Sequence, residues 1–314
     1  MNKKVILFNL LLIICFIFVA NFIVYYLDIS SDVYFDGTIR NILGEYKKFL
    51  TRDISSNDTY KNLIINEEYR HIENPEFISN KQSMILFGCS FTYGTGLRDD
   101  ETFSYQLGKQ TKQPIYNRAM GGWSVQHMLY QLKHEDFYKN IIKYQNYPSP
   151  EYIIFLTFNG HKSRIFLPVR IFYTPCYSVY YNQNPITKEF KLRKRTIFTD
   201  KIVFYYPILY KIYEFMSDKF SNRIDNIFYE YLIACKKEQE KHLPKTKFAI
   251  IFYDKESELT KEHMEKLEDN GFILITTEDL GINVNESKYR LPDSHPSALV
   301  WETATSKILE KLKN

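Results

Sequence analysis

Short apolar runs recur along the second half of the first hundred residues and onward, at Met84–Phe87, Pro114–Asn117, Tyr152–Phe158, Phe248–Tyr253 and Phe272–Thr276. Each is bounded by glycine, proline or a polar cluster, and the run at 152–158 is almost continuously hydrophobic, as buried parallel strands are. Helix-period segments fall between them, at 101–110, Val125–Leu132 and Leu259–Leu267, the last closed by Asn270-Gly271 as a C-cap signal. A longer helical segment opens at Pro207, runs to about Lys241 and has a break near Ser221. A final helix begins after Pro296 and carries Leu299, Ile308, Leu309 and Leu312. Strand and helix alternating at this spacing predict an α/β fold, a doubly wound three-layer α/β/α sandwich around a central parallel sheet.

The strand ends share a chemical character. Met84–Phe87 runs into Gly88-Cys89-Ser90 and a glycine-rich turn to Gly96. The second run leads into Arg118-Ala119-Met120-Gly121-Gly122-Trp123-Ser124, and the third stops at Asn159-Gly160-His161 with Arg164 just beyond. Open α/β sheets bind ligands at the carboxyl ends of their strands, so Ser90, Gly122 and Asn159 are expected on one rim. A serine hydroxyl is a nucleophile only beside a base. The candidate base lies far along the chain, in Pro292-Asp293-Ser294-His295-Pro296. Taken singly, each of these residues has an ordinary structural reading as a turn serine, a tight glycine turn or a loop histidine.

The amino-terminal stretch has a different pattern. Lys3 and Lys4 precede an apolar run from Val5 to Leu27 that only Asn9 and Asn21 interrupt, and Asp28, Asp32 and Asp36 follow. As a helix it would reach roughly 35 Å, so residues 1–27 are expected to form a single transmembrane signal anchor. The flanking charges place the amino terminus in the cytoplasm and the catalytic domain in the periplasm or outside the cell, with the cell membrane as a partner. Cleavage after a poor Val19-Ala20-Asn21 site, lipidation of Cys15 and a buried helix are the alternatives. Residues 28–80 read as a stalk and lead-in, and 81–314 as the catalytic domain.

Composition narrows the function classes. The 314 residues are 45% hydrophobic, enough for one domain with a real core and an appendage. The 41 basic and 37 acidic residues leave a net charge of +4 and are well mixed, which gives no argument for a nucleic-acid partner. The cysteines, at 15, 89, 176 and 235, have no CxxC spacing, so neither a disulfide framework nor a metal site follows, and no cofactor is called for. Cys89 reads as a small buried residue at a strand end. Among the 26 Tyr and 24 Phe, many fall in a stretch from about 165 to 206 that shows no clear element and contains Lys191-Leu192-Arg193-Lys194-Arg195. Such an insertion is expected to be a functional loop, with aromatics for sugar rings and basic side chains for an anionic polymer or lipid headgroup, or else an ordered surface insertion with solvated charges.

Taken together, the strand-end blocks resemble those of the SGNH/GDSL esterase superfamily over roughly 84–310. Gly88-Cys89-Ser90 with Gly94 resembles its first block with cysteine replacing the usual aspartate, and Asn117–Trp123 resembles its glycine block. Asn159 matches the asparagine block, although the aspartate that usually follows is Gly160 here. Asp293-Ser294-His295-Pro296 matches the last block in a shorter D-x-H form, which occurs in cell-surface branches that handle bacterial polysaccharides.

The resemblance implies a complete acyl-transfer site. His295 would deprotonate Ser90 and later protonate the leaving alcohol, while Asp293 would orient the imidazole. The N–H groups of Ser90 and Gly122 and the Asn159 amide would form the oxyanion hole. Trp123, His161 and Arg164 are expected to contact substrate; the histidines at 71, 127, 134, 242 and 263 have no assigned role. The expected activity is removal of O-acetyl groups from a cell-envelope carbohydrate, the substrate being that O-acylated carbohydrate or another ester. Transfer of the acyl group onto a surface polysaccharide and non-catalytic glycan binding are the alternatives.

Overall fold

A computed structural model describes residues 82–139, 150–165, 181–183, 190–192 and 221–313. Its centre is a parallel sheet of five strands: β1 (Met84–Phe87), β2 (Ile115–Asn117), β3 (Tyr152–Thr157) and two later strands, Lys247–Phe252 and Phe272–Ile275. Between β3 and those two the chain makes a small antiparallel ribbon of β4 (Tyr181–Gln183) and β5 (Phe190–Leu192), so the later pair are β6 and β7. The sheet order is β2-β1-β3-β6-β7, with Met84 beside both Ile115 and Tyr152, and Tyr152 beside Lys247. In this order the chain steps from β1 to one side, then returns to continue on the other. The crevice beyond the carboxyl ends of β1 and β3 is therefore the topological switch point, where such sheets bind ligands.

The two faces of the sheet separate the core into two layers, because side chains alternate along each strand. Ile85, Phe87, Ile153, Phe155, Phe248 and Ile250 face one side and pack on α3 (Val125–Leu132) and α5 (Ser221–His242). Met84, Leu86, Ile154, Leu156, Ala249 and Ile251 face the other and pack on α2 (Phe103–Thr111) and α8 (Ala298–Lys313). Trp301 of α8 lies 4.8 Å from Phe103 of α2, joining those helices over the sheet. The short helices α1 (Ser90–Tyr93), α4 (Gly160–Ser163) and α7 (Thr277–Leu280), and the amphipathic α6 (Lys261–Asp269), complete the set used below. The expected α/β/α layering and parallel sheet are thus present.

The sequence reading finds no regular element between 165 and 206, whereas the β4–β5 ribbon lies there. Phe190 is buried, stacks on Tyr231 at 4.0 Å, and its carbonyl accepts from Lys133 Nζ, which fastens the ribbon to the domain. Arg193, Lys194 and Arg195 lie outside the described residues, as do the expected stalk and the helical start at 207.

The membrane reading is corrected. Among the described residues no helix is long and apolar enough to cross a membrane. The longest, α5, carries Asp225, Glu230, Lys236 and Lys237 within its 22 residues, which a bilayer interior would not accept. The transmembrane helix expected over 1–27 lies outside the described residues. The single-pass topology, the membrane as a partner, and the periplasmic or extracellular placement all depended on that helix, and they are withdrawn.

Candidate active site

The first rim element is built by a close backbone approach. A Cβ on Gly88 would lie 2.0 Å from Thr92 Oγ1 and 3.0 Å from the Leu156 carbonyl, so the chain leaving β1 can turn against β3 only without a side chain there. Cys89 is fully buried behind the turn, and Ser90 begins α1, half-exposed. Gly94, at φ +82°, ends α1 with its N–H donating to the Ser90 carbonyl at 3.0 Å. The Ser90 hydroxyl approaches Cys89 Sγ at 3.9 Å.

Asn117 ties the second rim element to the first. It is buried at the end of β2, where its Nδ2 donates to the Thr92 carbonyl at 2.7 Å and its Oδ1 accepts the Ala119 N–H at 3.1 Å. The serine turn and the glycine turn are thus held by one side chain. Gly122 takes φ +81° in the turn that Trp123 closes by donating to the Met120 carbonyl. Among the described residues neither the Ser90 N–H nor the Gly122 N–H has an acceptor.

The third element follows β3. Asn159 is exposed, and its backbone N–H donates to both carboxylate oxygens of Asp254, at 3.0 and 3.3 Å. Phe158, just before it, stacks on Phe91, just after Ser90, with ring centroids 4.5 Å apart. Phe91 in turn meets the His295 ring edge-on at 5.4 Å and Tyr253 at 5.2 Å. One aromatic cluster therefore gathers the neighbours of Ser90 and Asn159 with His295 itself.

His295 sits in a tight loop closed by Leu291 N–H to the His295 carbonyl at 2.7 Å and Ser294 N–H to the Leu291 carbonyl at 2.9 Å. Ser294 has φ +68°, a left-handed conformation unusual for a residue with a side chain. Asp293 and His295 stand on either side of this left-handed residue. His295 Nδ1 lies 2.9 Å from Asp293 Oδ2, close but out of line for a hydrogen bond, and the His295 N–H donates to Asp293 Oδ1 at 3.2 Å. No hydrogen bond joins Ser90 to His295 among the described residues.

The other expected contacts lie further back. His161 is fully buried, with Nδ1 against Thr157 Oγ1 at 3.2 Å and its ring stacked on Phe155. Burial, reinforced by the charges of Arg164 and His127, pushes its basicity well below the usual imidazole range, so it is neutral. Trp123 is also buried and stacks on His127 at 5.1 Å. Arg164 donates to the Trp123 carbonyl at 2.9 Å and lies over the Phe158 ring at 4.8 Å, bracing the glycine turn against the end of β3. Sequence reasoning gave Phe91, Asn117 and Asp254 no supporting role, because Phe158, the Thr92 carbonyl and Asn159, which they meet, are distant in the chain. Among the described residues no group of three or more His, Cys, Asp or Glu could hold a metal ion.

No family model matches the chain. No curated protein matches it either. Solved structures do. An acetyl xylan esterase, Est2A from the rumen bacterium Butyrivibrio proteoclasticus, is similar at 12% identity and a TM-score of 0.44, over 74% of this chain and 64% of that one. A putative lipolytic protein of the G-D-S-L family from Desulfitobacterium hafniense is similar at 10% identity and a TM-score of 0.43, over 73% and 99%. TesA is similar at 10% identity and a TM-score of 0.42, over 74% and 98%. At these identities and TM-scores the similarities assign neither a family nor an activity to the chain.

Proposed function

We propose that the chain is a serine esterase that removes acyl groups, O-acetyl first among them, from a carbohydrate through an acyl-enzyme on Ser90. The observation that carries the reading is the gathering of Ser90, Asn159 and His295 about Phe91, with Asp293 2.9 Å behind the imidazole. The choice of acetyl and of a glycan comes from the motif resemblance.

In this mechanism His295 keeps Nδ1 toward Asp293 and uses Nε2 to take the Ser90 proton as Oγ attacks the ester carbonyl. The carbonyl π electrons move onto oxygen, which the N–H groups of Ser90 and Gly122 and the Asn159 amide stabilise. Collapse expels the sugar alkoxide, protonated by His295. Water then attacks the acyl-enzyme with His295 again as base, releasing acetate and the free serine. The reaction needs Ser90 and His295 to come within hydrogen-bond reach, as bonds of this kind commonly tighten only when substrate is bound.

The test is kinetic and covalent. Ser90→Ala and His295→Ala should each remove nearly all hydrolysis of a small acetyl ester while leaving folded protein, and Cys89→Ser should retain most of it. A fluorophosphonate adduct mapped by mass spectrometry should fall on Ser90; an adduct elsewhere sinks the assignment. Following acetate and acetylated glycan together separates hydrolysis from O-acyltransfer, because product accumulating at the expense of free acetate would make the enzyme a transferase.

A further inference from the structure

Asn159 stands exposed at the rim, yet its backbone is clamped from the neighbouring strand. Asp254 follows β6 and offers both carboxylate oxygens to the Asn159 N–H, at 3.0 and 3.3 Å. Its Oδ1 also accepts the Ser257 N–H at 2.8 Å, capping the short 3-10 turn Lys255–Ser257. The carboxylate is half-buried, and burial raises its proton affinity while these N–H donors oppose the rise. Its two oxygens are therefore engaged by backbone N–H groups.

A nearer side chain could not take this part. The residue after Asn159 is Gly160, where a Cβ would come within 2.5 Å of the Phe158 ring. That ring has little freedom to give way, being stacked on Phe91 at 4.5 Å and covered by the Arg164 guanidinium at 4.8 Å. The aromatic packing that brings β1 and β3 together at the rim thus excludes a side chain at 160, and the acceptor comes from β6, 95 residues along the chain.

We propose that Asp254 is a positioning residue for the Asn159 oxyanion donor, holding the Asn159 backbone so that its side-chain amide points across the rim toward Ser90. The proposal rests on the esterase reading of Ser90 and Asn159. The clamp fixes Asn159 at φ −47° and ψ −42°, the first bend of α4, and so fixes the direction in which its Cα–Cβ bond leaves the backbone. Oxyanion stabilisation depends on donors set in place before the charge develops. Losing the clamp lets the amide wander without removing it.

The separating variant is Asp254→Ser. Serine is a good N-cap for the Ser257 N–H, while it lacks the second oxygen and its hydroxyl lies closer to its own backbone, drawn back from the Asn159 N–H. The full chain is assayed on a short acetyl ester, with active sites counted by fluorophosphonate titration. Asp254→Ser should lower kcat about 10- to 100-fold with KM within about threefold, the loss expected of a misplaced oxyanion donor. Asp254→Asn keeps one acceptor oxygen and should fall between. Amide hydrogen exchange at Asn159 should accelerate at least about tenfold in Asp254→Ser with the sheet amides unchanged. A wild-type kcat in Asp254→Ser, a loss confined to KM, or unaltered Asn159 exchange would overturn the proposal while leaving the esterase standing. A wild-type chain that neither turns over nor labels at Ser90 would remove both.

Discussion

His295 Nδ1 lies 2.9 Å from Asp293 Oδ2, and the residue between them, Ser294, is in the left-handed region at φ +68°. In an extended segment residues i and i+2 share a face with their Cα atoms about 6.6 Å apart, and the left-handed Ser294 replaces that geometry with a tighter path between the two. A β-branched residue tolerates that bend poorly, at a cost of about 1–2 kcal/mol. Ser294→Val should therefore lower kcat/KM on an acetyl ester by about tenfold or more through loss of the Asp293–His295 approach. Ser294→Gly should stay near wild type, and the two variants compared in steady-state kinetics check it.

Asn117 should matter for stability as well as for the site. Asn117→Ala removes one donor and one acceptor from a buried position and leaves the Thr92 carbonyl and Ala119 N–H without those partners. A loss of about 2–3 kcal/mol is expected in urea denaturation, with m unchanged. A loss below about 0.5 kcal/mol would mean that the two turns hold their places without it.

The close approach at Gly88 gives a coupled pair. Gly88→Ala meets Thr92 Oγ1 at 2.0 Å and the Leu156 carbonyl at 3.0 Å, and should cost about 2–3 kcal/mol. Adding Thr92→Ala removes the first contact and leaves the second, so the double mutant should recover part of the loss. A double-mutant cycle that proved additive would place the strain elsewhere.

The pH dependence of stability carries a signature of His161. Its folded-state affinity for protons is depressed by burial, so the unfolded chain binds more protons below the ordinary imidazole value of 6.5. Stability then rises with pH through that range, is fully present above 6.5, and is lost as pH falls toward the depressed folded value. His161→Phe removes this component. The wild-type curve of unfolding free energy should fall more steeply below pH 6.5 than that of His161→Phe, and parallel curves would mean that His161 does not titrate on unfolding.

The sheet was legible because its strands are buried on both faces and read as continuous apolar runs, whereas the ribbon at β4–β5 is made of two strands of three residues, too short to show a period. Ser90, Gly122, Asn159, Asp293 and His295 were legible as residue types at strand and loop ends. Their supports were not. Asn117 reaches 25 residues back and Asp254 reaches 95, and no local period records such hydrogen bonds. Trp123 and His161 looked like rim residues because small and polar residues surround them in sequence. Both instead turn inward, His161 onto Phe155 and Trp123 onto His127. The topology was read from the apolar run at 5–27 and its flanking charges, which lie outside the described residues, and among the described residues no helix is long and apolar enough to cross a membrane.

The sheet order has a consequence for how the site comes into being. β3 lies between β1 and β6, so the bond from Asn159 to Asp254 waits until a strand nearly a hundred residues later has docked, and His295 comes later still. Contacts of such separation form slowly and together. A chain halted on the ribosome before β6 would carry the serine, the glycine turn and the asparagine without the clamp or the histidine. The rim is thus a record of completed folding, and a nascent or truncated chain presents an unarmed serine to the cell that makes it.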